Sequence, residues 1–208
     1  MSLEPRLVVD GDGGAVVVLG PGAGAGLDSD FMTFFAEHLA ASDLTVVRFN
    51  FRYIEEGRKA PDRQAVLEQT YSSVLDHARA RFDERPVVIG GKSMGGRIAS
   101  HVAVEKEVDG LVFLGYPLHP PGRPDRMRDS HLYEIEAPML FVEGTRDPFC
   151  PLETLETVRR SLRNSTLVVV DDGNHSFKVR KSSGRSTKDA WLQAADHVAA
   201  WVKGLRPV

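Results

Sequence analysis

The chain has 208 residues, a length that suits one domain and lets it bury most of its apolar surface without disulfide or metal cross-links. Its 29 acidic and 26 basic residues give a formal charge of -3, which argues against a general affinity for nucleic acid. The single cysteine, Cys150, excludes internal disulfides and four-thiolate metal sites, and no apolar run approaches the roughly 18 residues needed to span a bilayer.

Short apolar runs, rich in valine, isoleucine, leucine and phenylalanine, recur along the chain and mostly lack polar alternation. Such runs are typical of strands that are buried on both faces of a parallel sheet. Six runs have this character, at residues 15–19, 44–49, 87–89, 111–114, 139–142 and 167–170. Residues 7–9 are predicted to add a seventh, outer strand.

Between these runs lie longer segments with apolar residues on one helical face. They are residues 29–41, 62–82, 94–106, 152–163 and 187–203. The repeated order of strand and helix predicts one α/β domain over residues 1–208. Its core is a mostly parallel, doubly wound sheet of about six to seven strands with helices on both faces, and no large cap domain is expected.

The third of the six runs leads directly into Gly91-Lys92-Ser93-Met94-Gly95, which matches the pattern G-x-S-x-G. Between a strand and a helix, this pattern is typical of a sharp turn that lifts a serine hydroxyl above the sheet, so we predict Ser93 as a nucleophile. The same stretch resembles the end of a phosphate-binding loop. However, Pro86 stands where that loop needs its first glycine, so we reject nucleotide triphosphate binding.

A serine nucleophile needs a base and an orienting carboxylate, and the expected chain order is serine, acid, histidine. His175 follows the last predicted strand, whereas the other six histidines lie in helical segments or in the loop after the fourth run. Asp147 lies in a tight turn after the fifth run, between Ser93 and His175. Pairing with a carboxylate favours the charged imidazole, so we expect the pKa of His175 to be raised.

The transition state of acyl transfer needs two backbone donors for its oxyanion. We expect one donor to be the amide of Met94, the residue after the nucleophile. The second is expected in the glycine-rich loop after the first run, at Ala23, with Gly22 as the alternative. This loop also imitates a dinucleotide fingerprint. The next run ends without the acid that such a fingerprint needs, although Arg48 suits a 2′-phosphate, so an NADP-binding reductase is the less favoured alternative.

Residues 117–137, called the rim below, contain four prolines and several charges. Because proline fixes its own backbone angle, the rim is predicted to be semi-rigid and not a helical lid. Tyr116, Leu118 and Phe149, together with Gly22, are predicted to line a modest substrate pocket beside Ser93. This predicts short acyl chains and no activation at lipid interfaces.

These motifs together resemble the α/β-hydrolase superfamily over roughly residues 14–203. The resemblance rests on Gly91–Arg97, Gly115–Gly122, Gly144–Phe149 and Asn174–Phe177. More narrowly, they resemble its small, dienelactone-hydrolase-like branch, which includes a testis-expressed protein and a subunit of the NSL acetyltransferase complex. The resemblance implies the same triad of Ser93, Asp147 and His175, and it names no substrate. In one departure, Pro21 opens the glycine loop where the family usually has histidine.

The sequence thus predicts a serine hydrolase of the cytoplasm that cleaves a small ester or thioester through an acyl-enzyme. No cofactor is expected, and no cluster of His, Asp or Glu has the spacing of metal ligands. The expected partner is a small-molecule substrate, without nucleic acid or membrane, and the oligomeric state is not indicated. Residues 178–188 are basic, which we interpret as a solvated loop, the alternative being attraction of an anionic substrate. The main alternative function is a hydrolase-fold interaction module with little activity.

Overall fold

All the predicted strands form in the computed structural model, which describes residues 5–205. The strands are β1 (Leu7–Asp10), β2 (Val16–Gly20), β3 (Thr45–Phe49), β4 (Val87–Lys92), β5 (Gly110–Leu114), β6 (Met139–Gly144) and β7 (Ser165–Val170). The helices are α1 (Asp30–Ala41), α2 (Arg52–Glu55), α3 (Gln64–Arg81), α4 (Met94–Glu105), α5 (Leu152–Arg159) and α6 (Thr187–Lys203). Of these six helices, only the one-turn helix α2 had no counterpart in the sequence prediction, because its four residues are too few to show a period.

The strands form one sheet in the order β1-β3-β2-β4-β5-β6-β7, and all neighbours are parallel except β1, which runs antiparallel to β3. The chain moves outward from β2 to β3 and then returns to place β4 on the other side of β2. Ligands of doubly wound sheets bind at such a switch point, beyond the carboxyl ends of the strands. The loops after β2 and β4 meet at this point.

Two apolar layers cover the two faces of the sheet, and each strand contributes alternate residues to them. In β2, Val16 and Val18 pack in the layer with α3, α4 and α5, whereas Val17 and Leu19 pack in the layer with α1 and α6. The same alternation continues in β4 and β5. Both faces are therefore buried, which explains why the strands read as continuous apolar runs in the sequence.

The rim contains one short 3₁₀ helix, Ser130–Glu134, and its other residues form turns and irregular backbone. The fold class is confirmed: the sheet is mostly parallel with helices on both faces, and residues 5–205 contain no large cap domain. None of the helices within residues 5–205 has the length and apolar character needed to cross a membrane.

Candidate active site

Ser93 occupies the sharp turn between β4 and α4, in a backbone conformation that L-residues rarely adopt. Its φ is 50° and its ψ is -110°, which costs on the order of 1–3 kcal/mol and persists only where the surroundings impose it. Two residues later, a Cβ on Gly95 would lie only 2.0 Å from the carbonyl oxygen of Gly20. Glycine is therefore required for α4 to pack against the end of β2 and present the serine above the sheet.

The structure brings together the three side chains that were predicted as a triad. His175 Nε2 lies 2.8 Å from Ser93 Oγ, and His175 Nδ1 lies 2.6 Å from Asp147 Oδ2. The Asp147 side chain is fully buried, whereas that of His175 is 19% exposed and faces the cavity described below. This is the geometry of a nucleophile, a base and an orienting carboxylate, and the catalytic roles of these residues remain a prediction.

Asp147 and His175 are each fixed by a second contact. The Phe149 amide donates a hydrogen bond to Asp147 Oδ1 at 2.8 Å, and the Phe149 ring meets the His175 ring edge to face, with centroids 4.7 Å apart. Lys92 Nζ donates to the backbone carbonyl of His175 at 2.6 Å. Gly115, with a φ of +73°, makes room for these groups, because a Cβ there would lie 3.3 Å from His175 Nδ1.

The pKa of His175 is lowered from its ordinary value, and the expectation of a raised pKa was wrong. Burial of the ring is the largest cause, and the nearby Lys92 ammonium acts in the same direction. Asp147 opposes both effects without overcoming them. Burial also lowers the pKa of Lys92 itself to about 8, although Asp147 and Glu143 favour its charged form. Sequence reasoning missed Lys92, since the position before the serine in G-x-S-x-G carries no defined residue type.

The amides predicted to form an oxyanion hole border the same cavity as Ser93. Within residues 5–205, neither Met94 nor Ala23 donates its amide to another protein group. The loop that carries Ala23 is held by Tyr53 of α2, whose hydroxyl accepts the amide of Gly24 at 3.0 Å. Tyr53 is fully buried and supports this loop, in which Pro21 stands where the resemblance implies a histidine.

The rival interpretation of this loop as a dinucleotide site receives no support from Arg48. The Arg48 guanidinium is buried and forms a bidentate ion pair with Asp10, at 2.7 and 3.0 Å, and it also donates to the Leu27 carbonyl. It is therefore occupied inside the protein and does not face a ligand. No group of three or more His, Cys, Asp or Glu side chains in the described part of the chain is arranged to hold a metal ion.

A cavity of about 660 Å³ opens beside Ser93 and His175. Gly22 and Phe149, two of the four residues predicted for a substrate pocket, line this cavity together with apolar residues that include Phe31 and Leu67. Tyr116 and Leu118 do not line it, because both are buried in the core. The Tyr116 ring packs against two core phenylalanines, and its hydroxyl donates to the backbone carbonyl of Arg128.

Two half-buried arginines, Arg97 of α4 and Arg128 of the rim, also line this cavity. Neither forms an ion pair with a carboxylate within residues 5–205. Burial lowers the pKa of Arg128, and Arg97 lowers it further, so the two positive charges are close to each other. Asp62 is the carboxylate that lines the cavity, and it is paired with Arg58 at 2.6 Å.

The basic segment 178–188 has a different role from the two cavity arginines. Arg180 pairs with Asp172 at 2.5 Å, and Arg185 donates to the backbone carbonyl of Asp171 and to the side chain of Gln193. These contacts connect the segment to the turn that precedes His175. Arg180 and Arg185 therefore brace this turn and are not directed toward the cavity.

Comparison with known proteins agrees with this description. A family model described as an alpha/beta hydrolase domain matches residues 13–203. A Salmonella typhimurium protein, provisionally named carboxymethylenebutenolidase, is 30% identical over 166 residues, which cover 69% of this chain and 56% of the relative. The chain thus spans little more than half the length of this curated relative.

Solved structures share the fold over nearly the whole chain. A dienelactone hydrolase from Anabaena variabilis has a TM-score of 0.76 at 22% identity, covering 97% of this chain and 92% of that one. A serine hydrolase without a lid from Xanthomonas campestris has a TM-score of 0.72 at 20% identity, covering 97% and 90%. At such identities the likeness shows a common fold.

Proposed function

Because the chain belongs to the alpha/beta hydrolase family, we propose that it is a serine hydrolase that cleaves small esters or thioesters. The observation that carries this proposal is the continuous hydrogen-bonded path from Asp147 through His175 to Ser93, at 2.6 and 2.8 Å. Each of the three follows a different strand, at the edge of the sheet where the cavity opens. Such a path activates a serine for nucleophilic attack. Acyl transfer is the reaction we favour, because it also uses the amides of Met94 and Ala23 as donors to an oxyanion.

In the proposed reaction, Ser93 Oγ attacks the carbonyl carbon of the substrate while its proton passes to His175 Nε2. The carbonyl oxygen takes up the negative charge, and the amides of Met94 and Ala23 donate hydrogen bonds to it. The tetrahedral intermediate then collapses, and the leaving alcohol or thiol receives the proton from His175. Water adds to the acyl-enzyme in the same way, which releases the carboxylic acid and restores Ser93. Asp147 stabilises the transient imidazolium and keeps its tautomer.

The proposed substrates are small and soluble, with short acyl chains. The cavity is open to solvent beside a rim without a helical lid, and Phe31 and Leu67 give it only a limited apolar wall. Initial rates on p-nitrophenyl esters from acetate to palmitate, with and without micelles, test this. We expect the highest kcat/KM for the shortest chains. A preference for palmitate, or a rise in rate above the micellar concentration, would refute the proposed size class.

Arg97 and Arg128 favour an ester that carries a second, anionic group. Arg97 donates to the Gln64 side chain at 3.1 Å, but neither arginine has a carboxylate partner within residues 5–205. A guanidinium without such a partner suits a carboxylate, which it binds through two parallel hydrogen bonds. Arg97 lies one helical turn beyond Ser93, about 6 Å along the helix axis, so the anion would be a few bonds from the scissile carbonyl. The name of the Salmonella relative, carboxymethylenebutenolidase, refers to a carboxyl-bearing lactone, which is consistent with this class.

A fluorophosphonate probe, with intact-mass spectrometry as the readout, tests the proposed nucleophile. We expect a single adduct on the unmodified protein and no adduct on Ser93→Ala or His175→Ala. The matched control is Ser29→Ala, because Ser29 lines the same cavity and its hydroxyl forms no hydrogen bond within residues 5–205. An adduct on Ser93→Ala at the original rate would contradict the assignment.

The same experiment separates the enzyme from the alternative function, an interaction module with little activity. That alternative follows from the narrower resemblance to the branch with a subunit of the NSL acetyltransferase complex. A module of this kind would leave the probe unreacted even though its three side chains are in place. Labelling of Ser93 together with turnover of a short ester would favour the enzyme over the module.

A further inference from the structure

A fully buried glutamate, Glu143, lies directly behind the proposed triad. It is the next-to-last residue of β6, four positions before Asp147, and its relative exposure is 0%. One carboxyl oxygen, Oε1, accepts the backbone amide of Tyr116. The other, Oε2, is inaccessible to solvent and accepts no hydrogen bond from any donor in the described part of the chain. An ionised carboxylate with one unsatisfied oxygen would be costly at such a position.

The groups around Glu143 come from four different segments of the chain. The Asp147 carboxylate and the Cys150 thiol are neighbours of Glu143, since Asp147 raises the pKa of Glu143 and Glu143 in turn raises the pKa of the Cys150 thiol. Lys92, at the end of β4, is the nearby cation, and its ammonium is held on the carbonyl of His175. The His175 ring is hydrogen-bonded to Asp147, and Tyr116 donates its amide to Glu143.

Two adjacent buried carboxyl groups repel each other when both are ionised, which favours a proton on one of them. Asp147 has the groups that favour a charge: the Phe149 amide on one oxygen and the His175 ring on the other. Burial and the Asp147 charge raise the pKa of Glu143 well above its usual range, and the Tyr116 amide and Lys92 oppose this only in part. The direction of this shift and the buried, partnerless Oε2 both favour a proton on Glu143.

We propose that Glu143 is a positioning residue for Asp147, acting as a neutral carboxylic acid whose Oε2–H donates a hydrogen bond to the Asp147 carboxylate. Its other oxygen accepts the Tyr116 amide, so Glu143 links the ends of β5 and β6 to the acid of the triad. This proposal rests on the proposed function for the role of Asp147. A carboxylic acid that is kept neutral by its surroundings and used as a donor has precedent in enzyme active sites.

Infrared spectroscopy at neutral pH tests the protonation state directly, independently of turnover. The difference spectrum between the unmodified protein and Glu143→Gln should contain the carbonyl stretch of a protonated carboxyl group. Glutamine is the matched variant, because its amide donates to Asp147 and accepts from Tyr116 while it cannot ionise. Absence of the protonated band would overturn the proposal, even if Ser93 is labelled and esters are hydrolysed.

The pH dependence of kcat/KM tests the positioning role. Glu143→Gln should keep kcat within about threefold and leave the acid limb of the profile unmoved. Glu143→Leu removes the hydrogen-bond donor to Asp147. The Asp147 carboxylate then stabilises the His175 imidazolium more strongly, so the acid limb should move to higher pH. Because Asp147 is also less well positioned, kcat should fall by about tenfold or more. If Glu143→Leu does not fold, Glu143→Met is used in its place. A merely structural role would lower the melting temperature and leave the acid limb in place, which would overturn the proposal.

The outcomes also distinguish this inference from the proposed function. If the protein hydrolyses no ester and Ser93 resists the probe, the function is wrong, while the infrared band still reports on Glu143. If Ser93 reacts and esters are hydrolysed but the band is missing, only the inference about Glu143 is wrong.

Discussion

Two parts of the molecule border the same cavity and are built in opposite ways. The turns at the ends of β4, β6 and β7 (residues 91–95, 144–147 and 171–175) are closely packed, and a Cβ on Gly144 would lie 2.2 Å from the Gly173 carbonyl oxygen. The rim has seven consecutive exposed residues, 121–127, and a Cβ on Gly122 would meet nothing within 4 Å. We infer that the turns fix the reacting groups, whereas the rim can vary and adjust substrate preference.

The largest expected effect on activity comes from changing the acid in one of the closely packed turns. Asp147→Asn should lower kcat by about 10⁴-fold, because an amide stabilises the wrong tautomer of His175 and cannot balance the imidazolium. Asp171→Asn is the matched control, since Asp171 is exposed and precedes the histidine turn. Steady-state kinetics with a short ester measures both. Equal rates for the two variants would remove Asp147 from the mechanism.

A second comparison concerns packing, with one glycine taken from each part. Gly95→Ala places a Cβ against the Gly20 carbonyl and should lower the free energy of unfolding by about 1–3 kcal/mol or more. Gly122→Ala has open space and must only accept a φ of +67°, at a cost of about 1–2 kcal/mol. Denaturant unfolding gives both values, and ester turnover should fall strongly only in Gly95→Ala. Turnover that is unaffected by Gly95→Ala would show that the turn tolerates change.

The rim should control selectivity more than rate. With methyl hydrogen glutarate and its neutral amide counterpart, methyl 4-carbamoylbutanoate, Arg128→Gln should lower the ratio of the two kcat/KM values by about tenfold, or ~1.4 kcal/mol. Arg97→Gln should act in the same direction. The control is Arg126→Gln, because Arg126 is exposed on the same segment and does not line the cavity. An unchanged ratio in both variants would exclude an anion-binding role.

The smallest expected effect is a displacement of the pH profile. His175 must be neutral to accept the proton of Ser93, and its pKa is lowered, so kcat/KM should rise through a midpoint below the usual histidine value of about 6.5. Lys92→Met removes a charge that disfavours the imidazolium and should move this midpoint upward. Lys178→Met, an exposed lysine near His175 in sequence, should leave it in place. A midpoint above 6.5 in the unmodified protein would contradict the lowered pKa of His175.

Ser93, Asp147 and His175 could be selected from the sequence because each follows a strand that is visible as an apolar run. In a parallel sheet these strand ends meet at one edge, so chain order and strand boundaries are enough to place the residues near one another. The seven strands were predictable for a related reason: burial on both faces leaves an apolar run that local composition records. The pattern G-x-S-x-G then added the conformation of the turn.

The tertiary structure decided what depends on distance between segments that are far apart in the chain. Tyr116 and Leu118 point into the core, and the buried Glu143 could not be distinguished in sequence from a polar residue at a strand end. The pKa of His175 depends on how deeply the ring is buried and on its separation from Lys92, which its pairing with Asp147 alone did not reveal. Desolvation and Coulomb energies vary with separation and local dielectric, and neither quantity is encoded in periodicity or spacing. The sequence by itself therefore determined which residues reach the edge of the sheet, and packing determined their charge states and which of them face the cavity.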